Sequence, residues 1–103
     1  MAILGKQSPA AATEAVLYAV SVGKNGLAAV EVCNRNAVPV KIRLALRSVG
    51  ENATLPASYI EYDTPIPGNG VFERTGIQLT ASEAITVQSD TANTNFIALG
   101  LEE

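Results

Sequence analysis

The run Val38-Pro39-Val40-Lys41-Ile42-Arg43-Leu44-Ala45-Leu46-Arg47-Ser48 decides the architecture of the chain. Val38, Val40, Ile42, Leu44 and Leu46 fall on one parity; Pro39, Lys41, Arg43, Ala45 and Arg47 fall on the other. Successive side chains of a strand point to opposite faces, so this run is a strand with one face in a core and one in water. A helix would scatter the five aliphatics around its circumference. The reading places Val40, Ile42, Leu44 and Leu46 in the core and Lys41, Arg43 and Arg47 on an exposed face. Just upstream, Leu27 to Asn34 is a second β-rich run, with Val30 and Val32 inward and Glu31 outward. Arg35-Asn36-Ala37 between the two is short and polar enough to turn the chain, and the remainder reads as sheet assembled around this pair.

Working outward, Glu14 to Val20 is a strand with Val16, Tyr18 and Val20 on one parity. The segment Val22 to Gly26 turns the chain, with Asn25-Gly26 supplying the positive φ of a tight hairpin turn. Val49 to Ala57, marked by Gly50 and Pro56, is the longest irregular connection and is long enough to pass between sheets. Ser58 to Asp63 is the next strand. Thr64-Pro65-Ile66-Pro67 continues it as an extended edge segment, because proline lacks a ladder donor, and a turn follows at Gly68-Asn69-Gly70. Val71 to Leu79 is a strand bent or bulged near Gly76. Ala84 to Ser89 places Ile85 and Val87 inward, Asp90 to Thr94 turns, and Asn95 to Leu101 closes the domain with Ile97, Leu99 and Leu101 alternating. Residues 1–13 read as an N-terminal arm, either a frayed terminus or an extended segment that orders against a neighbouring subunit. Residues 14–103 read as the domain: all-β, an antiparallel sandwich of about seven strands, Ig-like or jelly-roll-like.

The totals agree with one folded domain: 103 residues, 48% hydrophobic and 17% charged, with three Tyr, two Phe and no Trp. The net charge of −3 argues against broad phosphate binding. There is no histidine, and Cys33 is the only cysteine. An internal disulfide, the usual zinc sites, the Ser-His-Asp triad and the Cys-His dyad are thereby all excluded. Met1 to Ala12 lacks the apolar stretch of a signal peptide and no apolar run approaches the ~20 residues that span a bilayer, so a soluble chain made in a cytoplasm is expected.

Candidate chemistry is sparse. Glu61 and Asp63 share a strand face by parity and are expected within ~7 Å of each other, the one arrangement suggestive of paired acid–base carboxylates. Asp90, Asn93 and Asn95 space oxygen ligands as a loop cation site does. Each also reads as ordinary solvated surface. Asn52-Ala53-Thr54 fits a glycosylation acceptor but no secretory signal accompanies it. Cys33 reads as a small packed residue, and Asn34 and Arg35 at a strand end are suited to tie down a loop by side-chain hydrogen bonds. Tyr59 and Tyr62 fall on opposite faces, one for the core and one free for an interface. No catalytic, cofactor or metal residue is assigned.

Several stretches recur together in one family. Leu17-Tyr18-Ala19-Val20 with Gly23-Lys24, Val32-Cys33-Asn34-Arg35, the run Tyr59 to Pro67, and Gly76-Ile77-Gln78-Leu79 resemble a family of small all-β virion proteins of tailed bacteriophages. The Cys-Asn-Arg triplet and the Tyr-Asp-x-Pro-Ile-Pro run are its most specific parts; the family's usual proline is replaced by Val22. The resemblance implies a non-enzymatic structural protein, present in multiple copies on the capsid (decoration or cement) or in the tail (baseplate, fibre or adaptor). It further implies that the chain's partners are itself, as a homo-oligomer such as a trimer or pentamer, and other virion proteins such as the major capsid or tail proteins, with no nucleic acid and no membrane. A loop-based carbohydrate-binding module for host-surface recognition is the alternative, and an enzyme acting on cell-surface polymer is a third reading that no residue constellation supports.

Overall fold

The computed structural model describes residues 2–103, and Met1 lies outside the described residues. It contains eight strands: β1 (Ala2–Gln7), β2 (Ala15–Ala19), β3 (Gly26–Asn34), β4 (Val40–Arg47), β5 (Tyr59–Ile66), β6 (Val71–Leu79), β7 (Ala84–Ser89) and β8 (Thr94–Glu102). One turn of 3-10 helix, Pro56–Ser58, precedes β5. The strands form two four-stranded antiparallel sheets, β1-β8-β3-β6 (sheet A) and β2-β7-β4-β5 (sheet B).

The pairings nest: β4 with β5, β3 with β6, β2 with β7 and β1 with β8. This is one long hairpin, tipped at the β4–β5 loop, whose two arms wrap until β8 also meets β3 and β7 meets β4. Eight strands so ordered make a jelly roll, which resolves the choice left open between jelly-roll and Ig-like sandwiches. Every connection passes between the sheets except β4 to β5.

The alternation of Val38–Ser48 appears as expected at its centre. Val40, Ile42 and Leu44 are buried, as are Ile85 and Val87 on the adjacent strand and Val30, Val32 and Phe96 across the sandwich. Leu46 is half-buried at the end of the core, and Val38 precedes the strand and is exposed. Lys41 is exposed while Arg43 and Arg47 are only half so. Ala45, on their face, is just 1% exposed, because the β4–β5 loop folds back over it.

Five expectations require correction. The segment read as an arm is an eighth strand of the same chain. β1 completes the open edge of β8, Leu4 packs on the core at a register shift between Ile3 and Gly5, and Ala12 donates to the Ser89 carbonyl at 2.7 Å. An edge strand needs only one partner and few apolar residues, so its sequence carries little strand signal. Val49 to Ala57 does not cross between sheets; it joins two neighbours of sheet B. Conversely, the turn after β3 separates sheets, so β3 and β4 face each other across the core rather than forming a hairpin. The positive φ between β2 and β3 sits at Gly23 (78°), not at Asn25-Gly26. Gly26 is instead where the chain passes the Tyr18 hydroxyl, and a Cβ there would lie 2.8 Å from it. Finally, β8 alternates, but Phe96, Ala98 and Gly100 point inward and Ile97, Leu99 and Leu101 outward. Phe96 and Thr94 fix that parity, because their neighbours on β3 are the inward Val32 and Asn34.

Candidate functional site

At one end of the sandwich, three sheet-crossing connections (β3–β4, β5–β6 and β7–β8) are held together by the strand-end pair Asn34 and Arg35. Asn34 is 1% exposed. Its Nδ2 donates to the carbonyls of Val38 (2.9 Å), Pro67 (2.9 Å) and Ile66 (3.3 Å), and its Oδ1 accepts from the Asn36 backbone N–H (2.9 Å) and Nδ2 (3.1 Å). Asn36 Nδ2 also reaches the Ala92 carbonyl at 2.8 Å. Arg35 donates from Nε to Asn95 Oδ1 (3.1 Å) and from Nη2 to Asn93 Oδ1 (3.4 Å). The loop-tying role read from Asn34 and Arg35 is present. It also accounts for Asn93 and Asn95, whose oxygens serve the guanidinium rather than a cation. Asp90 Oδ1 accepts from the Lys41 backbone N–H and from Thr91 Oγ1. Among the described residues, no three His, Cys, Asp or Glu side chains gather to hold a metal ion.

The outer face of sheet B is polar and partly roofed. Glu14 Oε1 accepts from Arg47 Nη2 at 2.5 Å and from Thr54 Oγ1 at 2.8 Å, and Thr54 in turn lies 3.2 Å from the Thr86 hydroxyl. Since the Thr54 proton is given to Glu14, Thr86 donates. These bonds seat the β4–β5 loop, and the Thr54 of the Asn52-Ala53-Thr54 triplet is absorbed in them.

On β5, two register shifts overturn the simple parity reading. Tyr62 and Asp63 both lie opposite Arg43, and Asp63 adopts φ 54°. The bulge splits the two carboxylates expected together. Glu61 turns to Arg74 on the edge of sheet A (2.6 Å) and to Thr64 Oγ1 (2.7 Å), whereas Asp63 pairs with Arg43 Nε (2.8 Å) on the outer face. They are two separate ion pairs, not an acid–base couple. The Arg43 hydrogen bond holds the Asp63 carboxyl below its ordinary range, and Arg43 is correspondingly raised. The other shift, at Ile60, brings Tyr59 and Tyr62 to one face, edge to face at 4.9 Å between centroids, with the Arg43 guanidinium 4.1 Å from the Tyr62 centroid.

Sheet A is different. Its outer face carries Ile3 on β1, Ile97, Leu99 and Leu101 on β8, Leu27, Ala29 and Cys33 on β3, and Val71 on β6. Ile3 is 59% and Val71 78% exposed. Cys33 is exposed too, a correction to its reading as a packed residue: it sits at the outward parity of β3, opposite Val71. Leu27, Ala29, Leu99 and Leu101 surround a hollow of about 260 Å³ beside Thr75 and Gly76 of the β6 bulge, where Gly76 contributes no side chain. Only one row is charged. It runs Lys6, Ile97, Glu31, Glu73 across β1, β8, β3 and β6. Glu31 and Glu73 are direct cross-strand neighbours, and the hydrogen bond and charge of Glu73 raise the Glu31 carboxyl above its ordinary value.

This face was hidden from the sequence by the reversed parity of β8, although Leu27, Cys33, Ile97 and Leu99 fall on the parity opposite Val30, Val32 and Phe96. Among the described residues, no further layer of the chain covers this apolar sheet face. No protein-family description, curated protein or solved structure matches this chain.

Proposed function

We propose that the chain is a non-enzymatic virion structural protein of a tailed bacteriophage, assembled in multiple copies on the capsid as decoration or cement, or in the tail as a baseplate, fibre or adaptor component. The observation that supports this most is the contrast between the two outer faces. Sheet B carries charge and is roofed by its own loop, while sheet A presents an open apolar face. A subunit whose task is to be packed against other subunits has that design. The resemblance of Cys33-Asn34-Arg35 and Tyr59 to Pro67 to phage virion proteins adds the setting. In this chain those stretches build the loop knot and the bulged edge strand, both structural devices. The test is mass spectrometry of purified particles: the chain recovered at many copies per particle supports the reading, and its absence from particles overturns it. Labelled particles viewed by electron microscopy then separate head from tail.

A second reading, a module that recognises a host glycan, is favoured by one observation. Tyr59, Tyr62, Arg43 and Asp63 form an exposed platform of ring edges, guanidinium and carboxylate of the kind that stacks on and hydrogen-bonds a sugar. It stands on the strands β4 and β5 rather than on loops. Glycan-array binding lost in Tyr62→Ala would support it.

A further inference from the structure

The geometry points to a second copy of this chain as the occupant of the apolar face of sheet A, packed face to face about a two-fold axis that runs parallel to the strands between β8 and β3. This rests on the reading of that face as an interface and names what covers it. Three observations select the partner and the axis.

The first is shape. At the central level of the face, large residues lie on the β1–β8 half (Ile3 and Leu99) and smaller ones on the β3–β6 half (Ala29 and the bulge at Gly76). Rotation about a strand-parallel axis carries β8 over the partner's β3 and β1 over the partner's β6. It seats Leu99 on the second copy's Ala29 and Ile3 over its Gly76, so at this level the projections of each copy enter the hollow of the other. A two-fold across the strands would instead stack projections on projections at the axis.

Charge selects the same axis. The strand-parallel rotation reverses the row Lys6–Ile97–Glu31–Glu73, so that Lys6 of each copy stands over Glu73 of the other and Ile97 over Glu31. Within one chain, Glu31 and Glu73 repel each other and Lys6 stands two strands from Glu31; in the pair, each carboxylate couple gains a lysine from the opposite copy. An axis perpendicular to the strands at this row would place like charges face to face. A self-complementary surface of this kind is what an isologous two-fold contact requires.

The third is area. Four strands at about 4.8 Å spacing and nine residues at about 3.4 Å rise give a face of roughly 19 by 30 Å, so pairing covers on the order of 1,100 Å² over both copies. That clears the ~1,000 Å² of a specific contact, with a largely apolar centre and one polar row.

The experiment is sedimentation equilibrium of the full-length chain across micromolar concentrations, with circular dichroism to confirm that each variant is folded. The wild-type chain is expected to dimerise, and Leu99→Glu to remain monomeric. Lys6→Glu and Glu73→Lys alone should each raise the dissociation constant about tenfold or more, and the double variant, which restores the pair with its signs exchanged, should recover most of the loss. A folded wild-type chain that stays monomeric overturns the pairing, as does a dimer indifferent to Leu99→Glu. A dimer broken by Leu99→Glu but not rescued by the charge exchange overturns the assigned axis. The virion reading fails separately: a dimer absent from particles sinks that reading and leaves the pairing, whereas a monomer found in particles does the reverse.

Discussion

Asn34→Ala tests whether the loop end of the jelly roll is held by one side chain. The amide is buried and makes four bonds of 2.9 to 3.1 Å, two donated by Nδ2 and two accepted by Oδ1, with the Ile66 carbonyl sharing a donor at 3.3 Å. The Pro67 carbonyl keeps a second donor, the Gly70 N–H at 2.9 Å, whereas the Val38 carbonyl loses its Asn34 donor at 2.9 Å. Four bonds at about 1 kcal/mol net sum to ~3–5 kcal/mol. That is a large share of the ~5–15 kcal/mol of a typical domain. In urea, at about 1.5 kcal/mol per molar, the unfolding midpoint should fall by about 2–3 M. Asn34→Asp sharpens the test: it keeps the acceptor but aims a carboxylate at three carbonyls, so it should be at least as damaging at neutral pH and partly recover on acidification. A loss below about 1 kcal/mol for Asn34→Ala would refute the idea that this side chain ties the three crossings together.

Leu44→Ala, at a fully buried position, should cost ~2–5 kcal/mol by urea titration, and Lys41→Ala within about 0.5 kcal/mol. Deleting Ala2–Gln7 removes an edge strand and the packing of Leu4, so it should destabilise the isolated chain by ~2–4 kcal/mol and lower its thermal midpoint; an unchanged midpoint would restore the free-arm reading. Stability should also fall at both ends of the pH scale. Glu102 accepts from the Ser21 N–H at 2.7 Å and from the Tyr18 hydroxyl at 2.9 Å, which depress its pKa. Its contribution is therefore present above the unfolded carboxylate value and lost as pH falls through the depressed one. Burial, with the Glu102 contact second, pushes Tyr18 up to about 12 from 10.0. The folded state then holds a proton that the unfolded chain has released, so that contribution is lost between about pH 10 and 12. Glu102→Gln should flatten the acid limb and Tyr18→Phe the alkaline one, both read from unfolding midpoints across pH.

The strands with a wet face and a dry face were legible because period two is a local signal: Val40, Ile42 and Leu44 announce their burial within a few residues. Bulges were legible only where glycine marked them, as at Gly76. Those at Leu17 in β2 and at Ile60 and Tyr62-Asp63 in β5 carry no such mark, and each reverses the parity of the residues after it. Hence Glu61 and Asp63 looked paired and the two tyrosines looked divided. β8 misled for a different reason. Its outward residues are larger than most of its inward ones, so hydrophobicity alone chose the wrong face, and only pairing with β3 corrects it. β1 escaped notice because an edge strand is defined by a vacancy elsewhere in the sheet, at the far end of the sequence in β8.

The nesting of the eight strands also imposes an order of assembly. The β4–β5 hairpin joins neighbours in sequence and can form as soon as Ile66 has been made, whereas each pair outside it closes a longer loop, and β1 waits for β8. A chain emerging from a ribosome therefore holds β1 unpaired until β8 has been released. Until then the apolar outer face of sheet A, which borrows three of its residues from β8, does not exist as a surface. Docking of β8 between β1 and β3 is thus the step that completes that face, and a chain halted before it keeps β1 and β3 as open edges.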